Sequence, residues 1–378
     1  MKRISLSSFG FTVQKRTEVS WLSRIVAAIV SMAGAALFTG VLVSLAGVNP
    51  IQAFASIAGG AFGDWRAVSE TLVKATPIML TGLASVIAFR AQLWNIGQEG
   101  QLFAGAVASF WAYSICRGLP PVLVLVVVVL AGFIGGGIAG GIPALLYNQF
   151  NVNIIVSTVM SRYIILRFVS YLVSGPWQDP DFYDLVSPEI ASPYRFPVLI
   201  PESRLHIGFL IALAAMLGLE FLLRRTPYGY EVRAYGSNAR ASKAKGINPA
   251  AVVLKTMIIS GGLAGLAGAS EIFGIQYRLR MNISPGYGNM GIIVAMLAGL
   301  SPLVVFPAAT LFGGLINGCV RLRVLSGIPT ALAFAIESVV LLFLVVGQVV
   351  SKYRIERVRH ANTLPPVGDH YQRSGVDP

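Results

Sequence analysis

Ten stretches of this 378-residue chain are almost continuously apolar, and Pro, Gly, Asn or charged residues separate them. They cover 25–48, 71–89, 96–116, 120–147, 154–173, 205–223, 250–273, 287–300, 302–320 and 329–350. A bilayer-spanning helix needs roughly 20 apolar residues, and most of the stretches meet that length. The pattern predicts an all-α, polytopic membrane helix bundle of about 10 transmembrane helices. Stretch 287–300 is short, and the Ser301-Pro302 break after it is where a single hairpin would divide. Segment 49–69 is only weakly apolar and is expected to be external or interfacial.

Composition supports the membrane assignment. Hydrophobic residues make up 55% of the chain and charged residues 12%, against roughly 25% charge in a soluble domain. Of the 29 Lys and Arg, 17 fall in three places: the segment up to Arg24, the loop from Arg224 to Lys255, and the tail from Lys352. This is the positive-inside distribution, and it predicts that both termini and the central loop are cytoplasmic. The expected organisation is a cytoplasmic N-terminal segment 1–24, a transmembrane domain 25–350 and a cytoplasmic tail 351–378. A cytoplasmic loop at 224–250 and a Pro-, Asp- and Tyr-rich periplasmic loop at 174–204 interrupt the domain. The net charge of +13 resides in loops and tails rather than on a soluble domain, which argues against nucleic acid as a partner. About twenty polar residues precede the first apolar run, so no cleavable signal is expected. Cys116 and Cys319 stand apart at the ends of apolar stretches and read as incidental thiols.

The central loop is the most patterned polar region. Seven Lys/Arg accompany one acid, Glu231, between Arg224 and Lys255. Its core, 237–246, is a short polar segment that Asn238 can cap and Gly246 can end. Basic residues at Arg278, Arg280, Arg321 and Arg323 run against the charge trend. Either short loops tolerate such exceptions or these side chains form a basic mouth toward a partner or an anionic substrate.

Small residues recur at helical spacing: Gly132, Gly136 and Gly140, then Gly261 with Gly265, and Gly314 with Gly318. Such steps let backbones approach closely within a membrane. A charge at mid-membrane costs about 2.5–3.5 kcal/mol on insertion scales, so each one invites a functional hypothesis. Glu337, well inside its stretch, is the strongest pathway candidate, and Glu271 lies near the outer end of its own. Lys74 is placed to snorkel, and Arg162 and Arg167 require an acidic partner or a wet cavity. Structural pairing competes with substrate contact at all of these positions.

Segment 93–101, Leu-Trp-Asn-Ile-Gly-Gln-Glu-Gly-Gln, places Asn95 three residues before Gln98. That spacing fits an N-cap with a capping-box partner, followed by Glu99 in the first turn. It describes a well-capped turn, or a broken helix beside a translocation path containing Asn95, Glu99 and Gln101. His206, His360 and His370 form no metal-ligand spacing, and no nucleophile elbow or phosphate-binding G-x-x-x-x-G-K-[ST] occurs. No catalytic residue, metal site or cofactor is therefore expected, and any ATP must be bound by another subunit.

These segments carry a family likeness. AFRAQLWNIGQEGQLFAGA at 88–106 resembles the N-[IL]-G-x-E-G-Q segment of permease subunits in one branch of bacterial ABC importers, the branch with simple-sugar, branched-chain amino-acid and nucleoside permeases. TPYGYEVRAYGSNARASKAKGI at 226–247 is similar to their cytoplasmic loop, with Ser242 in place of the second Ala of an Ala-Ala pair. Segments 284–315 and 323–343 resemble the nucleoside and simple-sugar members most, and Glu337 lies where those members often carry a Gln. The resemblance implies a second homologous permease in a heterodimer, a cytoplasmic ABC ATPase that binds ATP and Mg, and a periplasmic solute-binding protein, all at a bacterial inner membrane. It also implies that the central loop holds a coupling helix, with Gly236, Ser237, Asn238, Arg240, Ala241, Lys243 and Gly246 docking the ATPase.

The expected function is the permease subunit of an ATP-driven importer, for nucleosides or purines. A simple-sugar importer is the alternative within that class. The intramembrane acids Glu271 and Glu337 motivate a different one, an ion-coupled secondary transporter.

Overall fold

The computed structural model describes residues 4–6, 11–15 and 21–357, and His360 and His370 lie outside them. The described chain is mostly helical: α1 (Trp21–Leu45), α2 (Pro50–Phe62), α3 (Trp65–Arg90), α4 (Gln98–Cys116), α5 (Pro121–Phe150), α6 (Ile154–Ser174), α7 (Gly208–Arg225), α8 (Pro227–Ser237), α9 (Ala239–Ala244), α10 (Pro249–Glu271), α11 (Tyr287–Leu297), α12 (Pro302–Ser326) and α13 (Thr330–Lys352). One rule starts several of them. An Asx side chain accepts the first free backbone N–H groups at Asn49, Asp64, Asn153, Asn238 and Asn248, with proline following at Pro50 and Pro249.

All ten apolar stretches are largely helical. Six helices are long and apolar enough on their own to cross a membrane, and the bent α1–α2 pair makes up to seven. The others fall short for identifiable reasons. Helix α11 has only 11 residues, and α7 carries Glu220, Arg224 and Arg225. Helix α4 opens on Gln98, Glu99 and Gln101, all buried by protein.

Segment 49–69 departs from the external or interfacial expectation. Helix α2 turns back from α1 at 115° and packs on α12, where a Cβ on Gly60 would lie 2.9 Å from Gly318 Cα. Its small residues Ala53, Gly60 and Ala61 form the buried face, while Ile51 and Phe62 stay exposed.

The predicted small-residue steps form the tightest seam. A Cβ on Gly261 would come 2.2 Å from the Gly136 carbonyl, one on Gly265 2.1 Å from that of Gly132, and one on Gly105 2.2 Å from Gly265 Cα. Helices α4, α5 and α10 therefore meet backbone to backbone.

The first and last described segments pair. Strands β1 (Ile4–Leu6), β2 (Phe11–Lys15) and β3 (Tyr353–Arg357) form an antiparallel sheet in that order, with Ile4 opposite Val13 and Phe11 opposite Arg357. Arg90 at the end of α3 donates to the Leu300 carbonyl just before α12 (2.9 Å), which places the start of α12 at the α8–α9 end of the bundle.

At the opposite end, the long loop after α6 is stitched to the segment after α10. Ile190 N–H donates to the Tyr277 carbonyl (2.8 Å) and Phe196 N–H to that of Phe273 (2.9 Å). Arg278 pairs with Asp179 (2.6 Å) and Glu189 (3.3 Å), so it is a clasp and not part of a basic mouth. His206 is buried beneath a π-helical turn, Ile272–Gln276. Its Nδ1 accepts from the Gly208 N–H (3.1 Å), and burial lowers its pKa to about 4, leaving a neutral imidazole at ordinary pH.

Candidate functional site

The polar residues of the bundle gather around the first turn of α11. Thr81 of α3 donates to the Tyr287 carbonyl (2.9 Å). Glu99 of α4 accepts from the Gly288 N–H (2.7 Å). Arg162 of α6 donates to Asn289 Oδ1 (3.1 Å). Three consecutive residues of one short helix thus hold three different helices. The fit excludes a larger residue: a Cβ on Gly288 would lie 2.4 Å from the Glu99 nitrogen, and one on Gly291 2.4 Å from Thr81 Oγ1.

The Tyr287 ring is buried and lines one cavity with Glu337, while the next residue, Gly288, donates to Glu99. Two of the acids singled out from sequence, Glu99 and Glu337, therefore flank the first turn of α11. Glu271 ends α10 and is buried. Glu337 is also buried. It lines a cavity of about 180 Å³ with Lys74, Tyr287, Arg323, Thr330 and Phe334. Arg323 closes one side by donating to Thr330 Oγ1 (3.2 Å). The cavity offers an acceptor, cationic donors and two aromatic rings within one small volume.

Asn95 and Gln101 belong elsewhere. Asn95 is no N-cap: α4 begins at Gln98 after Gly97, without a side-chain cap. The Asn95 amide exchanges hydrogen bonds with that of Gln101 (2.9 and 3.0 Å) and donates to Ser260 Oγ (3.0 Å). Ser260 in turn donates to the Ala84 carbonyl (2.7 Å). A fully buried amide makes more bonds in this way than it would at a helix start. The network locks the α3–α4 turn against α10. Gln98 is likewise occupied, with the Ser85 hydroxyl at 2.8 Å.

The second group of predicted residues forms a basic knob at the α8–α9 end. Gly236 seats α8 on the end of α3, where a Cβ would come 2.0 Å from the Arg90 carbonyl. Asn238 caps α9, accepting from the Arg240 and Ala241 N–H groups at 3.0 Å. Gly246, at φ +83°, ends the element. Ser237, Arg240, Ala241, Lys243 and Gly246 are exposed, whereas Ser242 is buried and bonds the Ala239 carbonyl (2.9 Å). Tyr228, at the start of α8, bonds Thr256 of α10 (2.8 Å). Burial pushes its pKa up to about 12, so it stays a neutral hydrogen-bonding anchor.

Residues 67–349 match the family described as "Branched-chain amino acid transport system / permease component". The chain belongs to this permease family. It is 34% identical over 327 residues to the guanosine ABC transporter permease protein NupP of Bacillus subtilis, covering 85% of this chain and 92% of that one. It is 32% identical over 351 residues to the glucose ABC transporter permease protein TsgB13 of Haloferax volcanii, covering 90% and 92%. Bacillus subtilis also has the guanosine ABC transporter permease protein NupQ, 27% identical over 260 residues, covering 65% of this chain and 79% of that one. The chain is thus a multi-pass ABC transporter permease subunit.

One polar region is enclosed among the helices and the other is exposed at the α8–α9 end. Sequence reasoning missed Tyr287 and Asn289. Their only local signal is the Gly286-Tyr287-Gly288-Asn289 run opening a span too short to cross. It also missed α8, whose Gly-, Tyr- and Arg-rich sequence has little apolar periodicity.

Proposed function

We propose that this permease is one half of a heterodimeric pair that imports a nucleoside across a bacterial inner membrane, powered by separate ATPase subunits that bind ATP and Mg. The carrying observation is the 34% identity to a guanosine permease along 92% of that protein's length. The cavity beside Glu337, about 180 Å³, is smaller than a nucleoside and supplies only one edge of a seat for it. The Glu337 carboxylate can accept base N–H groups, and Tyr287 and Phe334 can stack on a ring. Glu99 and Glu271 flank this path, while Asn95 and Gln101 hold the α3–α4 turn that shapes it.

In this reading α9 is the coupling helix. Gly236 and Ser237 place it, Asn238 caps it, Arg240, Ala241 and Lys243 face the ATPase, and Gly246 ends it. The sheet of β1, β2 and β3 supports residues 4–6, 11–15 and 353–357 sharing one side, and the Lys/Arg excess around them favours the cytoplasmic side. About ten spans remain the reading, with the 11-residue α11 covering only part of one crossing. A solute-binding protein would deliver cargo at the far end, where the long loop after α6 is ordered by its backbone bonds to 273–279.

The glucose reading keeps one specific support, the 32% identity to a glucose permease over 90% of this chain. Uptake of labelled guanosine and of labelled glucose into vesicles holding the full transporter separates the two. Guanosine uptake that requires ATP is expected. Uptake of glucose alone would replace the cargo, and uptake by this chain without any ATPase would point to an ion-coupled carrier.

A further inference from the structure

The sheet of β1, β2 and β3 has two unlike faces. Residues opposite each other across an antiparallel pair share a face, and successive residues alternate between faces. The register sets Ile4 opposite Val13 and Leu6 opposite Phe11. It sets Phe11, Val13 and Lys15 opposite Arg357, Ile355 and Tyr353. One face therefore holds Ile4, Leu6, Phe11, Val13, Tyr353 and Ile355, with Lys15 and Arg357 in its two end rows. The other face holds Ser5, Thr12, Gln14, Arg354 and Glu356, all polar. The separation holds across all three strands, although β3 comes from the far end of the chain.

Such a face needs a cover. A sheet that is apolar on one side must bury that side against another layer, and a few short strands depend on that burial for stability. Among the described elements, α13 runs directly into β3, and no other helix packs more than marginally on the sheet.

The membrane surface is within reach. The apolar window of α13 runs Thr330–Gly347, and β3 starts at Tyr353. That is about 9 Å further on at the helical rise per residue, at the outer edge of the headgroup layer. The charge fits the same surface. Segments 1–24 and 352–359 contain nine Lys/Arg and two acids, Glu18 and Glu356. A basic cluster beside a span is drawn to anionic headgroups, and an apolar face bounded by cations is how an amphipathic element lies in the interface.

We propose that this sheet lies flat on the bilayer surface, with the face of Phe11, Val13 and Ile355 against the acyl boundary and anionic lipid headgroups at Lys15 and Arg357. The sheet then fastens to lipid the two terminal helices, α1 and α13, which meet through Phe38 and Phe343. The leaflet concerned rests on the cytoplasmic placement proposed above; the flat arrangement does not.

The test uses the full chain within the complete transporter in vesicles, with Cys116→Ala and Cys319→Ala removing the native thiols. Val13→Cys and Ile355→Cys put a fluorescent label on the apolar face, and Thr12→Cys and Gln14→Cys put it on the polar face. Two positions per face guard against one variant that loses the sheet. In vesicles containing phosphatidylglycerol, the first two labels should emit at shorter wavelength and be quenched by spin-labelled lipid. The other two should be quenched by aqueous iodide. The same response at all four positions overturns the proposal. So does a Val13 and Ile355 pair shielded from both quenchers, which would put protein, such as the ATPase, over the face. Lipid quenching at Val13→Cys should weaken in pure phosphatidylcholine, and Lys15→Gln with Arg357→Gln should abolish the difference between the two lipids. A difference that survives both substitutions overturns the headgroup contacts. Iodide that reaches the Thr12 and Gln14 labels from outside right-side-out vesicles overturns the cytoplasmic placement and leaves the flat sheet standing.

Discussion

The polar hub at α11 and the basic knob at α8–α9 solve opposite problems. At the hub, the buried polar groups are paired: Glu99 with Gly288 and Thr81 with Tyr287. At the knob the side chains are exposed, and order comes from one glycine contact and one cap. A site inside the bilayer has no water to satisfy stray groups, so its specificity must be built from complete pairing. A site in water can leave its charges free for a partner. Damage should accordingly read out as instability at the hub and as uncoupling at the knob.

Gly236→Leu is the hardest blow to that contrast. The side chain cannot fit 2.0 Å from the Arg90 carbonyl, so α8 and α9 lift off α3. Uptake should be lost while the protein still inserts and the ATPase still hydrolyses, measured side by side in vesicles. Normal uptake would remove the knob from coupling. Glu99→Ala attacks the hub and leaves the buried Gly288 N–H unpaired, costing about 1–3 kcal/mol. A lower melting temperature in detergent is the expected readout, and an unchanged one would mean that α11 is held without Glu99. Asn238→Ala removes the cap of α9 at a cost of about 1 kcal/mol, confined to that short helix. It should lower transport per ATP hydrolysed without moving the melting temperature; a shift in melting with coupling intact would erase the distinction between the regions. Glu337→Gln is the mildest. It keeps shape and most hydrogen bonding, so KM should change by about threefold to tenfold with assembly intact, and unchanged uptake kinetics would take Glu337 out of the pathway.

Features set by neighbours along the chain were legible in advance. The Gly132, Gly136, Gly140 and Gly261, Gly265 steps predicted a close helix seam, and that seam is present between α5 and α10. The cap at Asn238 was visible for the same reason, since its acceptor and donors lie within three residues. The spacing of Asn95 and Gln98 misled because a capping box and a buried amide network can open with the same residues. What distinguishes them is Ser260, 165 positions away. Glu271 and Glu337 could be singled out as charges in apolar stretches, and Glu99 as the acid of a first turn. That Glu99 and Glu337 meet the start of α11 could not, because an 11-residue helix between two breaks gives little periodicity from which to infer its placement. The return of α2 was hidden likewise, because the 115° bend after α1 goes with packing on α12, far along the chain.

The glycine seam has a mechanical consequence. With backbone carbonyls about 2 Å from where side chains would begin, α4, α5 and α10 have no slack to slide or rotate against one another, and they behave as a single plank. Helices α11 and α12 are gripped in the same way, with a Cβ on Gly291 2.4 Å from Thr81 Oγ1 and one on Gly313 2.5 Å from the Thr71 carbonyl. Any movement of one helix past another must therefore be taken up at the turns between helices rather than along their faces.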